Sequence, residues 1–288
     1  MPVRCEGLRV PDIAYVNGRF LPLSDAVVSI EDRGFQFGDG VYEVVRTYGN
    51  HPFQLPAHLD RLERSAKALK LPVPISRVEW DEVVVKALSQ ASYPESKIYI
   101  QVTRGPAPRD HQFPADARPT VVLTVREMRP LADAVRVNGV DAITMDDLRW
   151  GRCDIKSVNL LANVLARQRA KEAGVFEAIF VRGGRVTEGS VSNVLLVRDR
   201  QLMTSPEGPD ILSGVTRSLV LDLARREGLK VMEQHPLQED LHAASEVFLT
   251  GTTVEVLPVV RIDGRPVGSG VPGPISRLLT SRFETLTA

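Results

Sequence analysis

Apolar and polar positions along this chain change period several times, and each change marks an element. IAYVNGRFLPL, residues 13–23, is extended and broken by Asn17-Gly18, a dipeptide that accepts positive φ at low cost, so it predicts a hairpin. GVYEVVRTYG and HPFQL form a second extended pair around Gly49-Asn50. Over residues 57–70, Leu59, Leu62, Ala66 and Leu69 recur at helical spacing, and residues 76–91 predict another helix. KIYIQVTRG and TVVLTVREM are β-rich runs, separated by PAPRDHQFPADARP, whose prolines and polar residues exclude regular structure. Hairpins and helices therefore share this part of the chain, which predicts an α+β fold and not a parallel βαβ sheet.

EMRPLAD marks a boundary, giving a small N-terminal α+β domain at 1–127, a linker at 128–133 and a larger C-terminal domain at 134–288. Short strands are expected near 134–145. The segment RCDIKS then leads into a helix from about Asn159 to Gly174, a residue suited to a left-handed cap. FEAIFVRGGRVTEGSVSNVLLVRD predicts strand, tight Gly183-Gly184 turn, strand, small-residue bend and strand. Residues 214–227 are helical, EVFLT is a strand running into GTT, and the last dozen residues predict an exposed terminal helix. There is no internal repeat or low-complexity tract.

At 288 residues the chain exceeds the size of one comfortable hydrophobic core, so two lobes with room for an enclosed site are expected. The 36 basic and 36 acidic residues balance, which argues against a polyanionic partner such as nucleic acid. The one arginine-dense stretch, HLDRLERSAKALK, has its charges spaced as the outer face of a helix. Two cysteines, Cys5 and Cys153, make no disulfide framework and have no metal-ligand spacing, which points to a reducing compartment. MPVRCEGLRVPDIAYV lacks the apolar core of a signal peptide, and no window approaches the ~20 apolar residues of a membrane span. A soluble, cytoplasmic protein is expected.

The candidate chemistry begins at Lys156. In an extended reading Asp154 and Lys156 point the same way, and burial of such a lysine would lower its pKa and free its lone pair for a carbonyl. Three other segments offer a seat for a carbonyl cofactor. TEGSVSN places a carboxylate, Glu188, at a strand end beside small residues that let a flat ring approach. SGVTRS opens a helix whose free N–H groups suit a phosphate, and TGTT repeats that offer after a strand. Each alone has an ordinary structural explanation; together they are the amine, ring-edge acid and phosphate cup that pyridoxal 5′-phosphate (PLP) requires.

EDRGFQFGDGVYEVV, HLDRL, QVTRG, PRDHQF, RCDIKS, VTEGS, GVTR and TGTT resemble, in order and over essentially the whole chain, the fold-type IV (class IV) PLP-dependent aminotransferases. Within that group the chain looks like the D-amino-acid aminotransferases. The resemblance implies a two-lobed α+β homodimer with PLP between the lobes, transferring amino groups between D-amino acids and 2-oxo acids. It implies that Lys156 forms the Schiff base and is the acid/base, and that Glu188 holds the pyridine nitrogen. Arg61, the Val215 and Thr216 backbone and Thr252 would hold the phosphate, and Leu212 would pack on the ring.

The same resemblance makes Arg109 and His111, carried on a loop from the other subunit, a clamp for the substrate α-carboxylate together with Tyr42. An arginine fork and a second donor two residues away suit one carboxylate. Arg46, where lysine stands in the family pattern, could greet a side-chain carboxylate or lie solvated. Val191 replaces a serine and removes a hydroxyl near the cofactor, and Phe35 replaces a tyrosine with an expected packing role. The alternatives are a branched-chain L-amino-acid or (R)-amine aminotransferase, an aminodeoxychorismate-type lyase, and a PLP-free binding protein on the same scaffold.

Overall fold

In the computed structural model, residues 12–91 and 93–287 are described; Cys5 and the rest of the amino-terminal stretch 1–11 lie outside them. The chain divides into two compact units, the first comprising Met1–Arg129 with Ser157–Asn159, the second Pro130–Lys156 with Leu160–Ala288.

The first unit holds strands β1 (Ile13–Val16), β2 (Arg19–Pro22), β3 (Gly40–Tyr48), β4 (His51–Pro52), β5 (Ser96–Thr103) and β6 (Thr120–Glu127), with helices α1 (Arg33–Phe37), α2 (Leu55–Ala68) and α3 (Arg77–Ala91). The strands form one antiparallel sheet ordered β2-β1-β6-β5-β3-β4. The expected Asn-Gly hairpin is present, with Asn17 at φ 45° and Gly18 at φ 90°. Strand alternation gives the sheet two different faces. Val41, Val45, Ile98, Ile100, Val102, Val121, Leu123 and Val125 are buried on one, the face that also carries Glu43. Tyr42, Val44, Tyr99 and Gln101 are half-buried on the other. Helix α2 packs on β3, and α3 on β1 and β6.

The second unit contains α4 (Asp133–Asn138), β7 (Val140–Asp146), α5 (Leu161–Glu172), β8 (Glu177–Arg182), β9 (Arg185–Gly189), β10 (Asn193–Arg198), β11 (Gln201–Thr204), α6 (Val215–Arg226), β12 (Lys230–Glu233), α7 (Gln238–Ala243), β13 (Glu246–Gly251), β14 (Glu255–Ile262), β15 (Arg265–Pro266) and α8 (Pro274–Thr287). Its mixed sheet runs β12-β11-β10-β13-β14-β7-β8-β9, with β15 beside β14. Val194, Leu196, Val247, Leu249, Leu257 and Val259 lie in its core. Ala166 and Ala170 of α5 pack on Ala178 and Phe180 of β8.

Two local expectations fail. Residues 133–138 form a helix, not a strand: Val135 and Val137 suggest alternation, but Ala132 to Gly139 close as one helical turn and a half, with Gly139 at φ 76°. Residues 153–155 form a turn in place of the expected extended stretch, and Asp154 is bound to Arg152 through two contacts of 2.9 and 2.8 Å.

Candidate active site

The second unit brings Glu188, Arg149, Asn193 and the main chain of Leu212 into one buried group. Glu188 is the penultimate residue of β9, just before Gly189 and the bend Ser190–Ser192, and is 5% exposed. That bend is tight because Ser190 and Ser192 both donate their hydroxyls to Glu177, a second carboxylate sealed from solvent. Any larger residue at 189 would collide, since a Cβ there would lie 2.3 Å from the Ser192 Oγ. Val191 at the tip is 60% exposed.

One oxygen of Glu188 pairs with the Arg149 guanidinium; the other accepts from Asn193 Nδ2 and from the Leu212 N–H, both at 3.0 Å. Asn193 also donates to the Leu212 carbonyl at 2.9 Å, so the asparagine ties the acid to the loop leading into α6. Arg149 is itself fixed by Asp147, with Nε and Nη2 at 2.9 and 2.8 Å, and lies 4.5 Å over the Phe180 ring. Burial raises the Asp147 carboxyl, but Arg149 and Thr187 outweigh it and hold the group below its usual value.

For Glu188 the balance goes the other way. Burial pushes its carboxyl from 4.5 up to about 7, against the pull of Arg149, the Leu212 N–H and the Lys156 ammonium. Lys156, half-buried just after the 153–155 turn, therefore lies within electrostatic reach of Glu188. An acid balanced near neutrality stays ionised when it faces a cation and would be costly to ionise without one.

Leu212 to Thr216 lead into α6. Gly214 caps that helix without a side-chain hydrogen bond, so the first N–H groups, those of Val215 and Thr216, have no side-chain acceptor from the cap. A Cβ on Gly214 would lie 2.0 Å from Asn193 Oδ1, which excludes any larger residue as the loop now stands. Thr252 sits half-buried in the turn after β13.

In the first unit, Arg61 and His58 of α2 face Glu43 of β3, and all three side chains are buried. Arg61 Nε and Nη2 bind Glu43 Oε1 and Oε2 at 2.7 and 2.8 Å, while His58 Nδ1 is 2.8 Å from Oε2. Tyr42 stacks on Tyr99 with ring centroids 5.6 Å apart. Burial and the neighbouring Tyr42 push the Tyr99 phenol up to about 12. Arg46 is 4% exposed, binds Glu95 at 2.8 Å and lies 4.4 Å over Tyr48, so the reading of a solvated arginine is wrong. A substrate carboxylate reaching Arg46 would meet a guanidinium already neutralised by Glu95.

Arg109 and His111 are exposed and meet on one ring: Arg109 lies 4.7 Å over Phe37, and the His111 ring is 5.4 Å from it. Phe35, expected to pack, is instead 77% exposed. Sequence reasoning misses Arg149, Asn193 and Phe37. Of these only Asn193 carries a signal, as the closing residue of TEGSVSN.

Residues 40–262 match the family description "Amino-transferase class IV". The chain belongs to this family of PLP-dependent enzymes. It is 45% identical to a D-alanine aminotransferase of Bacillus licheniformis over 269 residues, covering 93% of this chain and 94% of the relative. It is 41% identical to a D-alanine aminotransferase of Staphylococcus haemolyticus over 272 residues, covering 94% and 96%. In fold it is similar to the branched-chain amino acid aminotransferase of Escherichia coli, with TM-score 0.90 and 28% identity over 96% of this chain and 95% of that one. A second branched-chain amino acid aminotransferase, solved with pyridoxamine 5′-phosphate, gives TM-score 0.89 and 27% identity over 98% and 95%.

The second unit's residues fit PLP. A buried acid poised near neutrality suits a protonated ring nitrogen, and the α6 amino terminus suits a phosphate. Among the described residues no cluster of His, Cys, Asp and Glu could hold a metal ion, and no helix is long and apolar enough to cross a membrane.

Proposed function

We propose that this enzyme is a D-amino-acid aminotransferase that moves an amino group between D-amino acids, of the D-alanine and D-glutamate type, and 2-oxo acids such as pyruvate and 2-oxoglutarate. The observation that carries the substrate assignment is the gathering of Arg109 and His111 on Phe37 at an exposed loop tip. A fork and a second donor side by side are the chemistry that grips one carboxylate. The likeness in name and sequence to D-alanine aminotransferases supports the same reading.

When bound, PLP would supply a carrier for the amino group and a sink for the electron pair left at Cα. Lys156 would hold the cofactor through its amine, and the same amine would serve as the group that carries a proton at Nζ. Glu188 would keep the ring nitrogen protonated, while Arg149, Asn193 and the Leu212 N–H hold that carboxylate in place. Val215, Thr216 and Thr252 would hold the phosphate and Leu212 would pack on the ring; Arg61, whose fork Glu43 orients, is the proposed further phosphate contact.

Tyr42, Arg109 and His111 form the carboxylate trap, with the loop supplied by a partner subunit of a homodimer. Arg46 is the proposed contact for a side-chain carboxylate, in competition with Glu95, so D-glutamate should be a poorer donor than D-alanine. A cytoplasmic location completes the proposal.

The test is a single-turnover panel in which holoenzyme meets D-alanine, L-alanine, D-glutamate, L-leucine or (R)-1-phenylethylamine without an oxo acid, read by cofactor absorbance. D-Alanine and D-glutamate should convert the cofactor fastest. Faster conversion by L-leucine would make this a branched-chain enzyme, the reading that the fold likeness to the Escherichia coli protein favours. Faster conversion by the arylamine would make it an amine transaminase.

A further inference from the structure

The loop that carries Arg109 and His111 has no regular secondary structure across its tip, yet it is held in place from beneath. Its stems meet closely: Gly105 sits at φ 85°, and a Cβ there would lie 1.8 Å from the Arg118 carbonyl oxygen. A loop closed at its base in this way is an Ω-loop, packed by its own contacts. The near stem is tied to the segment around α1, with the Arg33 N–H on the Gly105 carbonyl at 3.0 Å and the Ala107 N–H on the Glu31 carbonyl at 3.1 Å.

Helix α1 is in turn fixed to the sheet. Asp32 accepts from the Gly34 N–H at 2.8 Å and from the hydroxyls of Thr103 and Thr120 at 3.0 and 2.6 Å. A Cβ on Gly34 would meet Thr103 Cγ2 at 2.3 Å, so the helix sits flat against β5.

From that platform Arg33, 3% exposed, reaches upward. Its Nη1 donates to the Asp110 carbonyl and its Nη2 lies 3.4 Å from the His111 carbonyl, so one planar fork holds the main chain on both sides of His111, next to Arg109. Its Nε binds Asp39 at 2.9 Å. Asp39 also takes two contacts from Arg104, at 2.8 and 3.0 Å, and Arg104 lies 3.7 Å over Phe113 on the far side of the tip. Arg33 and Arg109 share the Phe37 ring, at 4.9 and 4.7 Å.

We propose that Arg33 is a positioning residue for the substrate trap: it holds the backbone of Asp110 and His111 so that the Arg109 and His111 side chains present their donors to one carboxylate together. The inference rests on the trap assigned above. A planar guanidinium with several fixed donors can serve Asp39 and two carbonyls at once; a lysine ammonium cannot span them. Arg33 touches neither substrate nor cofactor in this role, so its loss acts on carboxylate recognition and spares chemistry that needs no carboxylate.

The experiment is a double-mutant cycle on the holoenzyme with Arg33→Gln, Arg109→Ala and the pair, measuring the D-alanine half-reaction and the rate of cofactor capture by methoxyamine, which has no carboxylate. Arg33→Gln should raise the D-alanine dissociation constant about tenfold. It should leave methoxyamine capture at the parental rate and cost clearly less in the Arg109→Ala background, where only His111 is left to position, than in the parent. Equal losses with both reagents, or full additivity with Arg109→Ala, would overturn the proposal by making Arg33 merely structural. Parental D-alanine binding in Arg109→Ala would remove the trap itself and this role with it. If Arg33→Gln does not fold, Arg33→Lys decides: it keeps a cation against Asp39, and unchanged D-alanine binding there refutes the role.

Discussion

Replacing Glu188 by glutamine removes a single titrating group from the interior of the second unit, and the consequence can be sized. Its carboxyl moves from 4.5 in the free chain to about 7 in the folded one, with burial as the leading cause. At 1.36 kcal/mol per unit that displacement is about 3 kcal/mol. The sign follows from proton counts: between these two values the folded state holds a proton that the unfolded state has released. Cofactor-free parent protein should therefore lose about 3 kcal/mol of stability relative to Glu188→Gln as pH rises from about 4.5 to above 7. Urea unfolding of both proteins, freed of cofactor, at pH 5 and pH 8 measures the difference of differences. Opposing groups such as Asp39, Asp147 and Glu233 cancel, because both proteins contain them. Adding PLP brings a ring cation to the carboxylate and should shrink the gap at pH 8. A difference between the two proteins that does not vary with pH would refute the buried, neutrality-poised acid.

Three other outcomes follow from the site. Lys156→Ala should lose the near-visible absorbance of the covalently held cofactor and nearly all turnover; an unchanged spectrum and rate would take Lys156 out of its role. Arg109→Ala should weaken D-alanine binding by about 2 kcal/mol, roughly thirtyfold, read as the dissociation constant of the half-reaction. Gly214→Ala should displace Asn193, whose Oδ1 would lie 2.0 Å from the new Cβ, and weaken PLP binding about tenfold in a fluorescence titration; parental affinity would show that the Asn193 bridge does not matter.

Much of this arrangement is legible in the chain because it is local. Asn17-Gly18 forces a turn by its backbone preference, and the α2 and α3 periodicities survive because those helices bury one face on a sheet. Lys156, Glu188 and the α6 entrance stand out as separate segments, each with its own chemistry. Pairing over distance is what the chain hides. Arg149 lies three residues before the RCDIKS segment, yet nothing in its neighbours says that its guanidinium lies on an acid 39 residues away. Arg33 reaches a carbonyl 77 residues along, and main-chain acceptors leave no mark in a residue pattern. The 133–138 helix is disguised because two valines at alternate positions mimic a strand over so short a span.

The amino terminus of α6, left without a side-chain cap by Gly214, has a practical corollary for anyone handling the purified enzyme. Inorganic phosphate and sulfate present the same kind of oxygen to which those first N–H groups can donate. Buffers containing either ion should compete with coenzyme for its anchoring end, so reconstitution in phosphate should saturate at higher coenzyme concentrations than reconstitution in HEPES at equal ionic strength.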